Sequence, residues 1–407
     1  MGVAGVSHTV CVRDSGQVDV LSDLEVYKAV PKLPKGLQYI DACVGDHHTI
    51  LLRSDGQAVA FGKNDSGQTC VPRLPEGEHY VSIAAGSRHS LYVRSDGHVV
   101  AAGDNQYGQC HVPQLPSDVV YRDAIAGQHR TILLRDDGAA IAFGDNQFGQ
   151  CDVPHLPQGT RYVQASAGLL HTALLRDDGQ VVVVGNNRLG QCRVPKLPDG
   201  VGYLSVAAGA IHTVLLRTDG HAVAFGSKRD GRCDVPKLPR GLRYSYAWVG
   251  LHHTLLLRSD GDVVAFGANF DGQCDVPRLA HGSARYTAPI AHSYMVVTLM
   301  LREASNDHLI ACVSISGEEL AVISVDPNST LLSGIRVALA KRLKLPLWRL
   351  RFVLSDAHLL TELDDCRCVG ELFGSTKAVG KIKASNLLSL DFNNDSVPPT
   401  PIAVTAR

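Results

Sequence analysis

A unit of 41 residues is written into this 407-residue chain again and again. Asp-Gly pairs fall at Asp55-Gly56, Asp96-Gly97, Asp137-Gly138, Asp178-Gly179, Asp219-Gly220 and Asp260-Gly261, each glycine 41 residues after the last. An altered seventh copy, Ser15-Gly16, lies 40 residues upstream of Gly56. A fixed period in this range specifies a repeat architecture. The copies can be compared with one another: positions held constant serve the fold, and positions that vary are free for function.

The copy from Tyr80 to Pro116 shows what one unit encodes. Tyr80 to Gly86 is a short apolar strand A, and His89 to Arg94 is strand B. Asp96-Gly97 supplies the backbone geometry of a tight hairpin. Strand C, His98 to Gly103, is β-branched and too short for a helix. Asp104 to Gly108 is turn chemistry. Gln109 to Val112 reads as strand D, stopped by Pro113-Gln114-Leu115-Pro116. Such a sheet cannot bury both faces alone, but stacking copies around an axis does so, as in a β-propeller. A linear solenoid would need polar capping repeats, and none is visible.

The termini favour a closed ring. Gly5-Val6-Ser7-His8-Thr9 matches the approach to strand B, with no strand A expected before it. Arg285 to Ala291 resembles Arg161 to Ala167, so strand 285–291 is expected to supply the missing piece and close seven blades. Blade 1 is the poorest copy, since residues 21–30 lack the Phe-Gly and Gly-Gln-Cys elements.

Charge is nearly balanced, with a formal net charge of -1. No run of like charge marks a nucleic-acid surface. No apolar stretch spans a bilayer and no signal peptide opens the chain. Val6 stands where N-myristoylation requires Ser or Thr. Cys110, Cys151, Cys192, Cys233 and Cys274 recur once per blade, too far apart to pair. They read as small buried residues of a reduced, intracellular protein, cytoplasmic or nuclear. The strand-B histidines His8, His48, His89, His171, His212 and His253, with Arg130 in the remaining copy, invite a metal hypothesis. A ring holds like positions apart, whereas a metal needs ligands converging at about 2.0–2.3 Å. Each histidine is therefore expected to bond a loop carbonyl. No catalytic constellation, metal site or cofactor motif stands out.

The unit Gly-x-x-His-Thr-x-x-Leu-Arg-x-Asp-Gly, followed by Val-Ala-Phe-Gly-x-Asn-x-x-Gly-Gln-Cys, strongly resembles the regulator-of-chromosome-condensation (RCC) repeat family over roughly residues 5–291. The resemblance implies a seven-bladed propeller. Similar domains occur in guanine-nucleotide exchange factors, in HECT-type ubiquitin ligases of the HERC class and in a bacterial β-lactamase inhibitor. The hairpin by which the exchange factor approaches its GTPase has no counterpart here.

The period stops near Arg302, and 293–308 reads as a linker. Beyond it, strands at Leu309–Ser316 and Glu319–Val325 precede a helix with Leu332, Ile335, Leu339 and Leu343 on one face. Leu345-Pro346 ends that helix, and Arg349–Leu354 is another strand. This ββαβ order over 309–391, with Leu359 also in place, resembles ubiquitin and its β-grasp relatives. The chain ends Val404-Thr405-Ala406-Arg407, without the Gly-Gly of conjugation, and Ala357 falls where a chain-building lysine would stand. The resemblance therefore implies a non-conjugated docking module, with Val353 at the centre of an apolar patch. Cys366-x-Cys368 reads as loop thiols, and 392–407 as a disordered tail.

The expected fold is mainly β: a closed seven-bladed propeller over 1–292 and a small α+β ubiquitin-like domain. The expected function is a non-catalytic protein-interaction scaffold, with no cofactor, nucleic acid or membrane. A component or fragment of a HERC-like ubiquitin ligase is the alternative, with the HECT domain outside this chain, and a GTPase exchange factor is the third. In an antiparallel blade the A–B and C–D loops emerge on one face, and there the copies differ. Tyr107, Phe148, Leu169, Leu170, Leu189 and Ile211 gather in consecutive blades 3 to 6 as the candidate partner-binding arc.

Overall fold

The computed structural model describes residues 30–269 continuously, together with 2–4, 9–12, 17–21, 274–276, the strands at 295–304, 307–314, 319–325, 350–354 and 359–360, and the helical residues Ile335 and Leu339. The repeats fold as three-stranded antiparallel meanders in the order A-B-C. Six of them are regular, and blade 3, with Tyr80–Ala85, His89–Arg94 and Val99–Gly103, is representative. A shorter sheet of Gly2–Ala4, Thr9–Val12 and Val18–Leu21 precedes them.

Sheets stack because strand B is apolar on both sides. Along His48–Arg53, Leu51 packs back against Val10 of the first sheet, while Ile50 and Leu52 pack forward against Tyr80, Ile83 and Tyr92. The same alternation builds a core between every consecutive pair of sheets up to the seventh, where Val214 and Leu216 meet Tyr244, Ala247 and Leu256. The second to sixth sheets are thus buried on both faces, as their near-continuous apolar strands require. Strand A of one blade contacts strand A of the next, which places the A strands innermost, as in a propeller.

The turn chemistry is local. In blade 3, Arg94 pairs with Asp96, whose other oxygen accepts the His98 N–H at 3.0 Å. The Gly97 carbonyl then accepts the Tyr121 N–H of the next blade at 2.9 Å. That tyrosine is buried, and its hydroxyl donates to the Pro113 carbonyl at 2.9 Å. Tyr39, Tyr80, Tyr162, Tyr203 and Tyr244 each make the same bond to a proline eight residues back.

Three sequence expectations change. The segment after strand C makes no ladder, so the described blades have three strands and not four. Its N–H groups are committed to turns: Cys110 to Asn105 Oδ1, His111 to the Gly108 carbonyl and Val112 to the Cys110 carbonyl. Val112 and Leu115 instead pack across the seam to the next blade. Blade 1 is not without strand A. Gly2–Ala4 pairs with Thr9–Val12 in the register Gly2↔Cys11, Val3↔Val10, Ala4↔Thr9, the counterpart of Val44↔Thr49 in blade 2. Three residues suffice to occupy the place assigned to strand 285–291, which lies outside the described residues.

The third change is at 293–308, read as a linker. Met295–Ala304 is a ten-residue strand at the centre of a five-stranded sheet. It pairs antiparallel with Asp307–Ser314 and parallel with Leu350–Leu354. The sheet therefore begins upstream of the boundary placed at 309. The strands of the ββαβ reading lie close to where they were expected, at Asp307–Ser314, Glu319–Val325 and Leu350–Leu354. Leu359–Leu360 adds an edge, and Ile335 and Leu339 are helical and buried. The tail 392–407 lies outside the described residues.

Candidate functional site

The loop end of each regular blade is built on a buried seam. His171 Nε2 lies 2.9 Å from Thr213 Oγ1 of the next blade, and that hydroxyl donates to the Gln191 carbonyl at 2.8 Å. The hydroxyl proton is thereby committed, so the histidine must donate from Nε2. His89 with Thr131 and His48 with Ser90 repeat the arrangement, and His212 makes the same approach to Thr254 at 2.9 Å. The histidines thus bond a neighbouring hydroxyl that relays to a loop carbonyl, and not the carbonyl itself. Glycine three residues earlier is required by space: a Cβ on Gly86 would overlap the His89 ring and the Gly127 carbonyl.

Nδ1 of His89, His171 and His212 has no hydrogen-bond partner. Protonation would bury an unsatisfied N–H. Burial accordingly holds the pKa values down to about 4 for His89 and His171 and about 3 for His212, with nearby cationic groups adding to the effect. Arg130 replaces the histidine in blade 4 and is fully buried. Its Nε donates to Thr172 Oγ1 at 3.1 Å, and its terminal nitrogens to the carbonyls of Leu169, Gly168 and His171 at 2.6–3.0 Å.

The C–D loop sits directly on this seam. The side chain of buried Gln109 accepts the Tyr107 N–H at 2.9 Å and donates to Asp104 at 3.1 Å. Gly108 follows with φ +82°, where a side chain would be strained. Gln68, Gln150 and Gln191 hold Ser66, Phe148 and Leu189 in the same way at 2.8–3.0 Å. The scaffold fixes the backbone N–H of the variable residue and leaves its side chain outward. Tyr107, Phe148 and Leu189 are 45%, 38% and 50% exposed. In blade 6 buried Arg232 takes the glutamine's place, pairing with Asp230 at 2.5 Å.

The A–B spacers join the same loop end. Tyr107 stacks on His129 of the next blade, ring centroids 5.2 Å apart. Arg232 reaches the Leu251 carbonyl and His252 Nδ1 of blade 7 at 3.2 and 3.1 Å. Leu169, Leu170 and Ile211 are half-buried rather than projecting, and the Leu169 N–H points to the Gly209 and Ala210 carbonyls. Leu251, omitted from the arc on sequence, is exposed. Its signal was its spacer position; only its place in blade 7, outside the arc of blades 3 to 6, kept it out.

The recurrent thiols are structural. Cys110, Cys151 and Cys233 donate to backbone carbonyls at 3.2–3.3 Å, and burial pushes their pKa values up to about 11. Among the described residues no cluster of His, Cys, Asp or Glu is placed to hold a metal ion, and no helix is long and apolar enough to cross a membrane. Val353 lies mid-strand, opposite Thr298 on one side and Leu359 on the other.

Residues 39–68, 80–109, 162–191 and 249–273 match the regulator of chromosome condensation (RCC1) repeat. No curated protein sequence matches the chain. Human WBSCR16 is structurally similar at 20% identity, over 61% of this chain and 80% of that one, with a TM-score of 0.51. The CRINKLY ectodomain of the Arabidopsis thaliana receptor kinase ACR4 is similar at 19% identity, over 67% and 95%, with a TM-score of 0.50. Prp20p of Saccharomyces cerevisiae is 22% identical over 56% and 72%, with a TM-score of 0.49. Four segments of the chain thus match the RCC1 repeat, and the chain is similar in fold to human WBSCR16 and the ACR4 ectodomain.

Proposed function

We propose that this protein is a non-catalytic interaction scaffold whose loop face grips a protein partner. The supporting observation is the recurrent slot two residues before the loop glutamine. There the scaffold holds the backbone of Tyr107, Phe148 and Leu189 and leaves three large apolar side chains exposed in consecutive blades. Aromatic anchors on a rigid frame are what a protein-binding surface needs, because little conformational entropy remains to be lost. Half-buried Leu169, Leu170 and Ile211 form the floor of that surface. Tyr107→Ala with Phe148→Ala should weaken a captured partner by on the order of 2 kcal/mol or more. Unchanged affinity would refute the reading.

The same proposal includes a closed ring of seven blades. Thr9 follows His8 as Thr254 follows His253, so closure would bring Thr9 to His253 and complete the seam. It also includes docking through Val353 of the C-terminal sheet: Val353→Asp should abolish that capture in a chain that still folds. The thiols that donate to carbonyls suit a reduced intracellular compartment.

A further inference from the structure

We infer that the partner segment is acidic as well as apolar, and that it lies across the loop face in one direction. The inference rests on the loop-face reading above. In blades 3 and 4 the first loop residue is Asp104 or Asp145, and each carboxylate accepts the amide of the glutamine above it, at 3.1 and 3.0 Å. Blade 5 has neutral Asn186 at that place and blade 6 has neutral Ser227. Cations appear in those same two loops. Arg188 stands beside Leu189, and Lys228 and Arg229 follow in the next blade, all three exposed. None of the three has an ion-pair partner among the described residues. Of the two carboxylates of the blade 6 loop segment, Asp230 is already paired with buried Arg232 and Asp234 is exposed, against the exposed cations Lys228 and Arg229. At the opposite end of the arc, the blade 2 loop presents both signs, exposed Lys63 and exposed Asp65.

The face therefore has an aromatic half, Tyr107 and Phe148, and a cationic half, Arg188, Lys228 and Arg229, joined at Leu189. Exposed cations next to apolar anchors select carboxylates near the partner's own apolar residues and repel basic competitors. The occupant that fits is a peptide segment with an aromatic or leucine anchor over blades 3 and 4 and Asp or Glu side chains over blades 5 and 6.

A random-peptide display library panned on the full chain tests this. Enriched peptides should combine an aromatic or leucine anchor with net negative charge. A synthetic copy of the top peptide should lose tenfold or more in affinity when its acids become amides. Lys228→Glu with Arg229→Glu should cause a loss of the same size and leave the melting temperature unchanged. Enrichment of neutral or basic peptides, or no enrichment, would overturn the inference, as would an acidic peptide indifferent to the charge reversal. Tyr107→Ala with Phe148→Ala separates the two readings. If it weakens a neutral peptide, the binding face stands and only the charge preference fails. If it weakens no enriched peptide, the face itself is wrong.

Discussion

Two regions lie a few residues apart in blades 2 to 6 and obey opposite rules. The seam between blades repeats one solution: histidine or arginine to hydroxyl to carbonyl, with tyrosine to proline at the other end. The tip of the C–D loop repeats a backbone and changes its side chain from Ser66 to Tyr107, Phe148 and Leu189. Gln109 belongs to both: its carbonyl takes the Thr131 hydroxyl of the seam at 2.7 Å, and its side chain takes the Tyr107 N–H of the tip. A rigid, monotonous seam is what allows the tip to vary without loss of fold.

Acid should break the seam most. His89, His171 and His212 are held well below the ordinary histidine value of 6.5. Between pH 6.5 and about 4 the unfolded chain binds protons that the folded chain refuses, so stability falls as pH falls. Each histidine contributes up to about 1.4 kcal/mol per pH unit in that window. Calorimetry from neutral pH to pH 4 should show a steep loss of melting temperature, and a flat profile would contradict the neutral-histidine seam. Next in size is Leu174→Ala. Leu174 is fully buried between blades 4 and 5, and its truncation should cost about 2–5 kcal/mol in chemical denaturation.

Smaller effects sharpen the contrast. Thr213→Val keeps the volume but removes both the acceptor for His171 and the donor to Gln191, and should cost about 1–3 kcal/mol. Arg130→His should cost less than Arg130→Ala, because histidine restores the donor to Thr172 that the other blades use. Denaturation of the two variants side by side checks the order.

The seam was legible in the sequence to the extent that a period exposes it. The constant His, Asp-Gly and Gly-Gln-Cys positions announced sheets, turns and a repeated core. The partner of each histidine was not legible, because it sits 42 residues away in the next blade. The short strand Gly2–Ala4 was missed because three residues carry too little pattern. Met295–Ala304 was missed because it lies just past the last repeat, where the period gives no guide. Strand D was misread because Cys110 and Val112 alternate with polar Gln109 and His111 as in a strand, while Asn105 and Gly108 claim its N–H groups for turns. At the tip, variation between copies found Tyr107, Phe148 and Leu189, which are exposed. It also pointed to Leu169, Leu170 and Ile211, which are half-buried.

The most direct test of the division between seam and tip is the melting temperature of Tyr107→Ala with Phe148→Ala measured beside that of Leu174→Ala. The tip variant should melt within the small range of ordinary surface changes, about 0.5 kcal/mol, while Leu174→Ala falls steeply. A tip variant that melts as low as Leu174→Ala would show that these side chains belong to the core and not to a binding face.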